Sequence, residues 1–285
     1  MICNPHIGMD GRLGNQLFQY AAVKGIGLKL GYDVTLSDQI NSFKWHGQNN
    51  LLTEFNVESE VRQLEPGMFK LMYIEPDHME FDPNVSSLPD NTLLKGYFQS
   101  IKYWEGYEDI IKRELTPKKH YLDSAKKYID SLRIDDRPII SLHLRRGDNT
   151  DGSNPSKELN TMYDRGGFWE QYFTKASESF DFDFRFLVFT GGSRGEGNDN
   201  SVDIEWAKNN LKGEFLFSEG GDAFQDFCRI MMCDHHVLSH ISSFGWWAAY
   251  LDKKDCVTIA PKHYHPDIPE FTHREGFYPD DWRII

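Results

Sequence analysis

Two adjacent arginines, Arg145 and Arg146, follow an apolar run in the segment HLRRGD at residues 143–148. An arginine side chain offers a planar fork of hydrogen-bond donors that fits a phosphate group, and it keeps its charge at any working pH. In an extended segment alternate side chains point to opposite faces, so His143 and Arg145 share one side and Arg146 takes the other. We therefore predict that Arg145 binds an anion such as a diphosphate. The alternative is that both arginines form structural ion pairs with the many acidic residues of the chain.

A second anion-binding pattern lies in the segment VLSHISSFGWWAAYL at residues 237–251. It predicts a strand, a turn with Ser242 and Ser243, and then a helix, because serine is a favoured residue at helix N-termini. The N–H groups of a helix N-terminus also bind anions, and Gly245 has no side chain that would keep a ligand away. Simple helix capping is the alternative explanation. Two such loops at strand ends of one sheet favour a shared phosphate ligand over capping alone.

The elements that must position these loops alternate between strands and helices. Residues 1–36 read as a strand, a glycine-containing loop, a helix and a second strand, with helical spacing of apolar residues over 15–31. After the break DDRP at 135–138 come five short apolar runs, several of them separated by helical stretches. This alternation predicts an α/β fold with a mostly parallel sheet covered by helices. The five runs are PIISLHL, FRFLVFT, EFLFS, HVLSHI and CVTIAP.

Length and charge restrict the class of protein. The 285 residues suffice for one large or two modest domains, and a net charge of −13 argues against a surface that coats nucleic acid or binds membranes through basic residues. The sequence shows neither an apolar run of 18 residues nor a signal peptide. Four cysteines are too few for a disulfide framework. We expect a cytoplasmic protein with reduced thiols; peripheral contact with the inner face of the membrane and the oligomeric state stay open.

Six segments, spread in a fixed order over nearly the whole chain, carry a more specific signal. They are GRLGNQLFQYAA at 11–22, LLKGYFQSIKYW at 93–104, HLRRGD at 143–148, SSFGWWAAYL at 242–251, IAPKHY at 259–264 and YPDDW at 278–282. Together they resemble the bacterial α-1,2-fucosyltransferases of glycosyltransferase family 11. The combination of the first segment with HLRRGD is the most specific part of this resemblance.

The resemblance implies a GT-B fold, in which two Rossmann-like domains face each other across a cleft. Residues 1–135 would form the N-terminal acceptor-side domain and residues 136–285 the C-terminal GDP-fucose-binding domain. The implied enzyme, a galactoside α-1,2-fucosyltransferase, moves L-fucose from GDP-β-L-fucose to the 2-OH of a terminal β-galactoside, with inversion and without a metal. The alternatives are a fucosyltransferase with another linkage or a protein acceptor, and a non-catalytic glycan- or nucleotide-binding protein on the same fold.

The same resemblance implies roles for individual residues. Arg145 would be the main ligand of the donor diphosphate, and His143, Arg146 and Asp148 would also belong to the donor site. A loop that closes over phosphate and nucleotide would contain Ser242, Ser243 and Phe244. Residues Gly14, Asn15 and Gln16 would lie at the cleft on the acceptor side.

The transfer also requires a group that takes the proton of the acceptor hydroxyl as it attacks the sugar. Asp148 is a candidate for this general base. A diphosphate oxygen or a carboxylate from the N-terminal half are the alternatives. Asp148 would then orient an arginine or bind the nucleotide instead.

Three motifs that suggest cofactors have simpler explanations. Asp181 and Asp183 precede a strand, whereas the metal-binding Asp-x-Asp motif follows one, so we predict a polar turn and no metal. The glycines of GMDGRLGNQ are spaced G-x-x-G-x-x-G, which differs from the dinucleotide fingerprint. An amphipathic helix predicted at 223–233 places both its cysteines in the core, which argues against zinc. We therefore expect GDP-fucose as co-substrate and no cofactor. The residues that a zinc ion would require here are Cys228, Cys233, His235 and His236.

Two segments carry weaker predictions. The glycine-rich stretch at 191–201 is inserted relative to the family pattern, and we predict a mobile loop without an assigned role. The stretch from 265 to 282 is rich in proline and histidine. We predict that it covers the donor half.

Overall fold

The computed structural model divides the chain into two units, each described here by itself. The first contains Met1–Lys118 and the described part of Arg274–Asp280, and the second contains the described parts of Lys119–His273 and Asp281–Ile285. The prediction for the stretch at 191–201 concerns mainly residues 192–199, which lie outside the described residues. The structure describes residues 1–42, 44–45, 48–78, 80–150, 167–191, 200–239, 242–252, 254–263 and 276–285.

The first unit contains a small parallel sheet. Its strands are β1 (Ile2–Cys3), β7 (Thr92–Lys95) and β6 (Leu71–Ile74), in that spatial order. A second parallel pair, β2 (Thr35–Ser37) and β5 (Glu60–Arg62), adjoins β1 through a bridge between Ile2 and Val34. The strands thus lie in the order β5, β2, β1, β7, β6. A short antiparallel pair is formed by β3 (Lys44–Trp45) and β4 (Gln48–Asn49).

Helix α1 (Leu13–Leu30) confirms the helix predicted over 15–31. Its residues are buried on nearly all sides, which is typical of a helix that forms the core rather than its cover. Tyr20 donates a hydrogen bond from this core to the buried carboxylate of Glu114, the last residue of α2 (Glu108–Glu114). Lys24 Nζ lies 2.8 Å from the same carboxylate, so the buried charge has an ionic partner.

The second unit contains a six-stranded sheet in which every described pairing is parallel. All six residues of β8 (Ile139–Leu144) are buried, as expected for a central strand covered on both faces. The five apolar runs predicted after residue 136 are all strands of this sheet, which confirms the α/β prediction. In spatial order the strands are β10 (Phe215–Phe217), β9 (Arg185–Thr190), β8, β11 (His235–Val237), β12 (Thr258–Ala260) and β13 (Arg283–Ile284).

Helices connect the strands of the second unit. Helix α3 (Lys119–Leu132) contacts α6 (Ala223–Met232) at two places. The ring of Tyr121 lies 4.7 Å from that of Phe224, and the guanidinium of Arg229 lies 3.7 Å from the ring centroid of Tyr128. The helices are α3 (Lys119–Leu132), α4 (Phe168–Glu178), α5 (Ser201–Asn210), α6 (Ala223–Met232) and α7 (Ser243–Tyr250). Short 3-10 helices lie at Asp38–Asn41, Leu52–Glu54, Pro83–Ser87, Ile101–Tyr103 and Gly147–Asn149.

The division into units falls between Lys118 and Lys119, earlier than the boundary predicted between 135 and 136. The reason is the packing of α3, which joins the second unit through α6. The C-terminal stretch also divides, because residues 276–280 belong to the first unit. The backbone N–H of Ile101 donates to the carbonyl of Gly276 at 2.7 Å, and the ring of Phe277 lies 6.1 Å from that of Phe18. For these residues the prediction that the stretch covers the donor half is wrong.

Candidate active site

The strand order of the second unit contains a switch point between β8 and β11. From β8 the chain continues to β9 and β10 on one side, and it then returns to β11 on the other side. Ligands of open α/β sheets bind at such points, beyond the carboxyl ends of the strands. The segment HLRRGD leaves β8 at this edge, and the residues leading to α7 leave β11 beside it. The two loops predicted to share an anion are therefore neighbours.

Hydrogen bonds fix the backbone of Arg145 between these two loops. Its N–H donates to the hydroxyl of Ser239 at 3.3 Å, just beyond β11. Its carbonyl accepts a hydrogen bond from the side-chain amide of Asn149, also at 3.3 Å. Neither partner was predicted from the sequence, although Ser239 lies in the segment 237–251 and Asn149 directly follows the segment 143–148. Together they hold the residue that we predict to be the main anion ligand.

The imidazole of His143 joins the β8 loop to the start of α7. Its Nδ1 lies 3.0 Å from the hydroxyl of Ser242, and its ring centroid lies 5.5 Å from that of Phe244. Burial and, to a smaller extent, the nearby charge of Arg145 lower the pKa of His143 to about 3. The imidazole is therefore neutral at ordinary pH. It contributes hydrogen bonds at this edge, while the positive charge comes from Arg145.

Helix α7 begins at this edge because Ser242 caps it. The Ser242 hydroxyl accepts a hydrogen bond from the Gly245 N–H at 3.3 Å, which confirms the predicted strand–turn–helix pattern. The position of Gly245 requires a residue without a side chain, since a Cβ there would lie 2.7 Å from Nδ1 of His143. The structure thus brings His143, Ser242 and Phe244 together. Ser243 is the first residue of the helix that follows.

Arg145 and Arg146 have different environments, as their alternation in an extended segment predicts. The half-buried Arg145 donates from Nη1 to the carbonyl of Arg146 at 3.4 Å. Arg146 instead donates from Nε to Asp203 Oδ1 at 3.0 Å, and these two side chains are 6% and 0% exposed. The Arg146 guanidinium also lies 4.7 Å from the ring centroid of Trp206. This geometry favours a structural role for Arg146 over the donor contact predicted for it.

The sequence did not identify Asp203 and Trp206 as partners of the HLRRGD segment. Both lie on α5, three residues apart, so they share one face of the helix. The segment DIEW contains a pattern that could have indicated an arginine partner, since an acidic and an aromatic residue at this spacing can hold one guanidinium between them. Nothing in the local pattern indicates which arginine of the chain they contact.

The predicted acceptor-side residues lie at the start of α1 in the first unit. Asn15 Oδ1 accepts a hydrogen bond from the Gln99 side chain at 3.1 Å, and Gln16 Oε1 accepts one from the Leu51 N–H at 3.2 Å. Gln16 and Gly14 are buried. Asn15 is therefore the member of this group that joins the start of α1 to the turn after β7. The role of all three in acceptor binding stays a prediction.

Asp148 lies in the 3-10 turn Gly147–Asn149, and its side chain lies outside the described part of the structure. Asp181 and Asp183 are exposed in the turn before β9. Cys228 and Cys233 are buried, and burial raises the pKa of the Cys228 thiol to about 12 and that of Cys233 further. Thiols with such raised pKa values are poor zinc ligands, because zinc binds the thiolate.

Among the described residues, His236, Asp252 and Cys256 bring ligand atoms within 4.8 Å of one another. The Asp252 carboxylate already has a cation, because Lys254 Nζ lies 3.1 Å from its Oδ2. His236 is held between Ser141 and Asp252, at 2.8 Å from its Nδ1 and 3.0 Å from its Nε2. His236 and Asp252 thus belong to a hydrogen-bonded polar network of the second unit, in which Lys254 balances the charge of Asp252.

Comparison with protein families gives a match over residues 4–285 to the model described as Glycosyl transferase family 11. The chain belongs to this family. The resemblance found in the sequence is thereby confirmed, and with it the enzyme class of a glycosyltransferase. The helices of the described residues include none that is both long and apolar enough to cross a membrane.

Curated relatives of this family member carry the name galactoside α-(1,2)-fucosyltransferase. The rat protein numbered 1 is 26% identical over an alignment of 267 positions, which covers 88% of this chain and 64% of that protein. The rabbit protein numbered 2 is 27% identical over an alignment of 290 positions, which covers 96% of this chain and 75% of that protein. The chain thus spans about two thirds to three quarters of the length of these two relatives.

Solved structures show a similar fold at low sequence identity. POFUT1 in complex with GDP aligns with a TM-score of 0.53 and 12% identity, over 88% of this chain and 93% of that one. A variant of Arabidopsis thaliana FUT1 in complex with GDP aligns with a TM-score of 0.51 and 12% identity, over 98% of this chain and 74% of that one. At this identity the likeness concerns the fold.

Proposed function

We propose that this family 11 member is an inverting fucosyltransferase that moves L-fucose from GDP-β-L-fucose to the 2-OH of a terminal β-galactoside. The observation that carries the proposal is the family match over residues 4–285, since the curated relatives are named for this transfer. The GDP held by two structures of similar fold supports the nucleotide part of the donor. In this proposal the two units form the halves of a GT-B cleft.

The donor side of the reaction is assigned to the switch point between β8 and β11. The bond between the fucose anomeric carbon and the phosphate oxygen lengthens in the transition state, so negative charge builds on the diphosphate. The guanidinium of Arg145 and the N-terminus of α7 provide positive potential at this edge. Ser239 and Asn149 hold the backbone of Arg145, and its guanidinium donates to the carbonyl of Arg146. Ser242 caps the start of α7. Preorganised groups of this kind stabilise the developing charge without a reorganisation cost.

The acceptor side is assigned to the first unit, with Asn15 as the residue nearest to the acceptor. The galactoside hydroxyl attacks from the face opposite the diphosphate, which gives inversion. Asp148 is the candidate that receives the hydroxyl proton, and the alternatives are a diphosphate oxygen or a carboxylate of the first unit. The proposal requires no metal, because a fixed arginine and a helix end can carry the charge of the leaving group.

Activity should persist in excess EDTA. The test measures GDP release from GDP-fucose with and without lactose, with EDTA in both reactions and GDP-mannose as a control donor. We expect release that depends on lactose and is much slower with GDP-mannose. Loss of release in EDTA with recovery on adding manganese would contradict the metal-independent proposal and would restore Asp181 and Asp183 as candidate ligands. Tight GDP-fucose binding with no release under any condition would instead indicate a binding protein.

A further inference from the structure

The first unit has a switch point of its own. Its strand order places β1 next to β7, with β2 and β5 on one side and β6 on the other. The loop before α1 leaves β1 at this edge, and the turn Gly96–Gln99 leaves β7 beside it. Strand β6 ends at the same edge, and Glu75 is the residue that follows it. A ligand of this unit is expected beyond these strand ends.

The carboxylate of Glu75 holds the turn after β7 in place. One of its oxygens, Oε2, accepts hydrogen bonds from the backbone N–H of Tyr97 at 2.7 Å and of Phe98 at 2.9 Å. The other oxygen, Oε1, accepts a hydrogen bond from the buried Tyr103 hydroxyl at 3.3 Å. Hydrogen bonds to an ionised carboxylate are among the stronger ones in proteins, so this side chain defines the path of the turn.

The turn has a backbone that needs such support. Phe98 has a φ angle of 55°, in the left-handed region that residues other than glycine rarely adopt. Gly96 lets the carboxylate approach, because a Cβ there would lie 2.5 Å from Glu75 Oε2. The hydrogen bonds from Tyr97 and Phe98 offset the unfavourable conformation. Without the carboxylate, this backbone conformation of the turn is less stable.

Hydrogen bonds connect this turn to residues in the first part of α1. Gln99 donates from its side chain to Asn15 Oδ1 at 3.1 Å, one residue after the turn's strained position. The carbonyl of Gly96 accepts a hydrogen bond from the Gln19 side chain at 3.2 Å. A change in the path of the turn would therefore move Gln99 relative to Asn15, although Glu75 touches neither of them in the described contacts.

We propose that Glu75 is a positioning residue of the acceptor side, which fixes the turn 96–99 and through it the pair of Gln99 and Asn15. This inference rests on the proposed function, in which the first unit binds the glycan acceptor. It assigns the carboxyl-end edge of β1 and β7 as the place where the acceptor sugar lies. The amide groups of Gln99 and Asn15 suit the hydroxyl groups of a sugar, because each offers both donors and acceptors.

The charge of Glu75 changes in the working pH range. Burial raises its pKa to about 7, while the two backbone N–H groups and the Tyr103 hydroxyl oppose the rise. The nearby charge of Asp77 contributes to this raised pKa, Tyr73 and Tyr103 face the site as neutral phenols, and Asp82 contacts both phenols. Protonation below pH 7 weakens the acceptor of both hydrogen bonds. It does not unfold the protein, since a carboxyl with a raised folded pKa stabilises the fold as the pH falls.

The experiment compares Glu75→Ala and Glu75→Gln with Glu65→Gln, an exposed glutamate of the same unit. Three quantities are measured between pH 6 and pH 8: kcat and KM for lactose, the Kd of GDP, and hydrogen–deuterium exchange of the peptide containing Tyr97 and Phe98. For Glu75→Ala we expect kcat/KM for lactose to fall by about 100-fold, the effect of a small misplacement, with the Kd of GDP within about twofold. Amide exchange in the turn should rise in the same variant.

The Glu75→Gln variant separates the positioning role from a general loss of structure. A glutamine can still accept the Tyr97 and Phe98 N–H groups through its oxygen, but it cannot titrate. In the wild type we expect kcat/KM for lactose to decline below pH 7, as Glu75 is protonated. In Glu75→Gln we expect a smaller loss of kcat/KM than in Glu75→Ala, and no such decline. Unchanged lactose kinetics in Glu75→Ala, or an equal loss of GDP affinity, would overturn the positioning role. A wild type that transfers nothing to any galactoside would overturn the proposed function, and this inference with it.

Discussion

Arg145→Ala is expected to lower the turnover of fucosyl transfer by at least about 100- to 1,000-fold, the usual cost of removing one preorganised donor at a developing charge. Arg145 stands at the end of β8, between Ser239 and Asn149, where the donor diphosphate is proposed to lie. Its attraction to the diphosphate grows as the sugar departs, so the loss should appear in kcat and not only in the Kd of GDP. Steady-state kinetics with GDP-fucose and lactose measure it.

Two further variants define the cause of that loss. Arg145→Lys should recover little of the turnover, because an ammonium group keeps the charge but lacks the two-pronged geometry. Arg62→Ala, which removes an exposed arginine of the first unit, should leave turnover unchanged and serves as the control. Near-normal turnover of Arg145→Ala would contradict the donor assignment.

Arg146→Ala is expected to destabilise the protein by about 3–5 kcal/mol, because it leaves the fully buried Asp203 carboxylate without its cation. The cation–π contact with Trp206 is lost as well. Urea unfolding followed by tryptophan fluorescence gives the free energy of unfolding. At temperatures where the variant stays folded, its Kd for GDP should remain close to that of the wild type.

The double variant Arg146→Met with Asp203→Leu provides the matched comparison. It removes both charges from the same buried place, so it should be destabilised less than Arg146→Met alone. An additive loss in the double variant would show that the ion pair is not the cause. An Arg146→Ala variant of full stability and greatly reduced turnover would reverse the roles assigned to the two arginines.

Local patterns were sufficient to predict the elements on which the candidate site is built. Helical spacing placed α1, and short apolar runs placed the strands β8 to β12. The alternation of side chains along an extended segment predicts different environments for Arg145 and Arg146, as the structure shows. Each of these predictions depends on a periodicity of two or about 3.6 residues, which is visible within a short stretch of sequence.

Long-range packing explains what these patterns did not predict. Asp203 accepts a hydrogen bond from Arg146, 57 residues away in the sequence, and Glu75 accepts one from Tyr97, 22 residues away. The amphipathic pattern of α3 predicts a buried face but does not say which unit covers it, so the sequence does not predict the division at Lys118. The same holds for Phe277, whose aromatic ring could have packed in either unit and lies against Phe18.

The linkage of the product tests the central claim most directly. The enzyme is incubated with GDP-fucose and lactose, and the purified product is examined by two-dimensional NMR. We predict an α-configured fucose whose anomeric proton correlates across the new glycosidic bond with carbon 2 of galactose. A correlation with any other carbon, or no fucosylated product from a protein that binds GDP-fucose, would contradict the assignment of this chain as a galactoside α-1,2-fucosyltransferase.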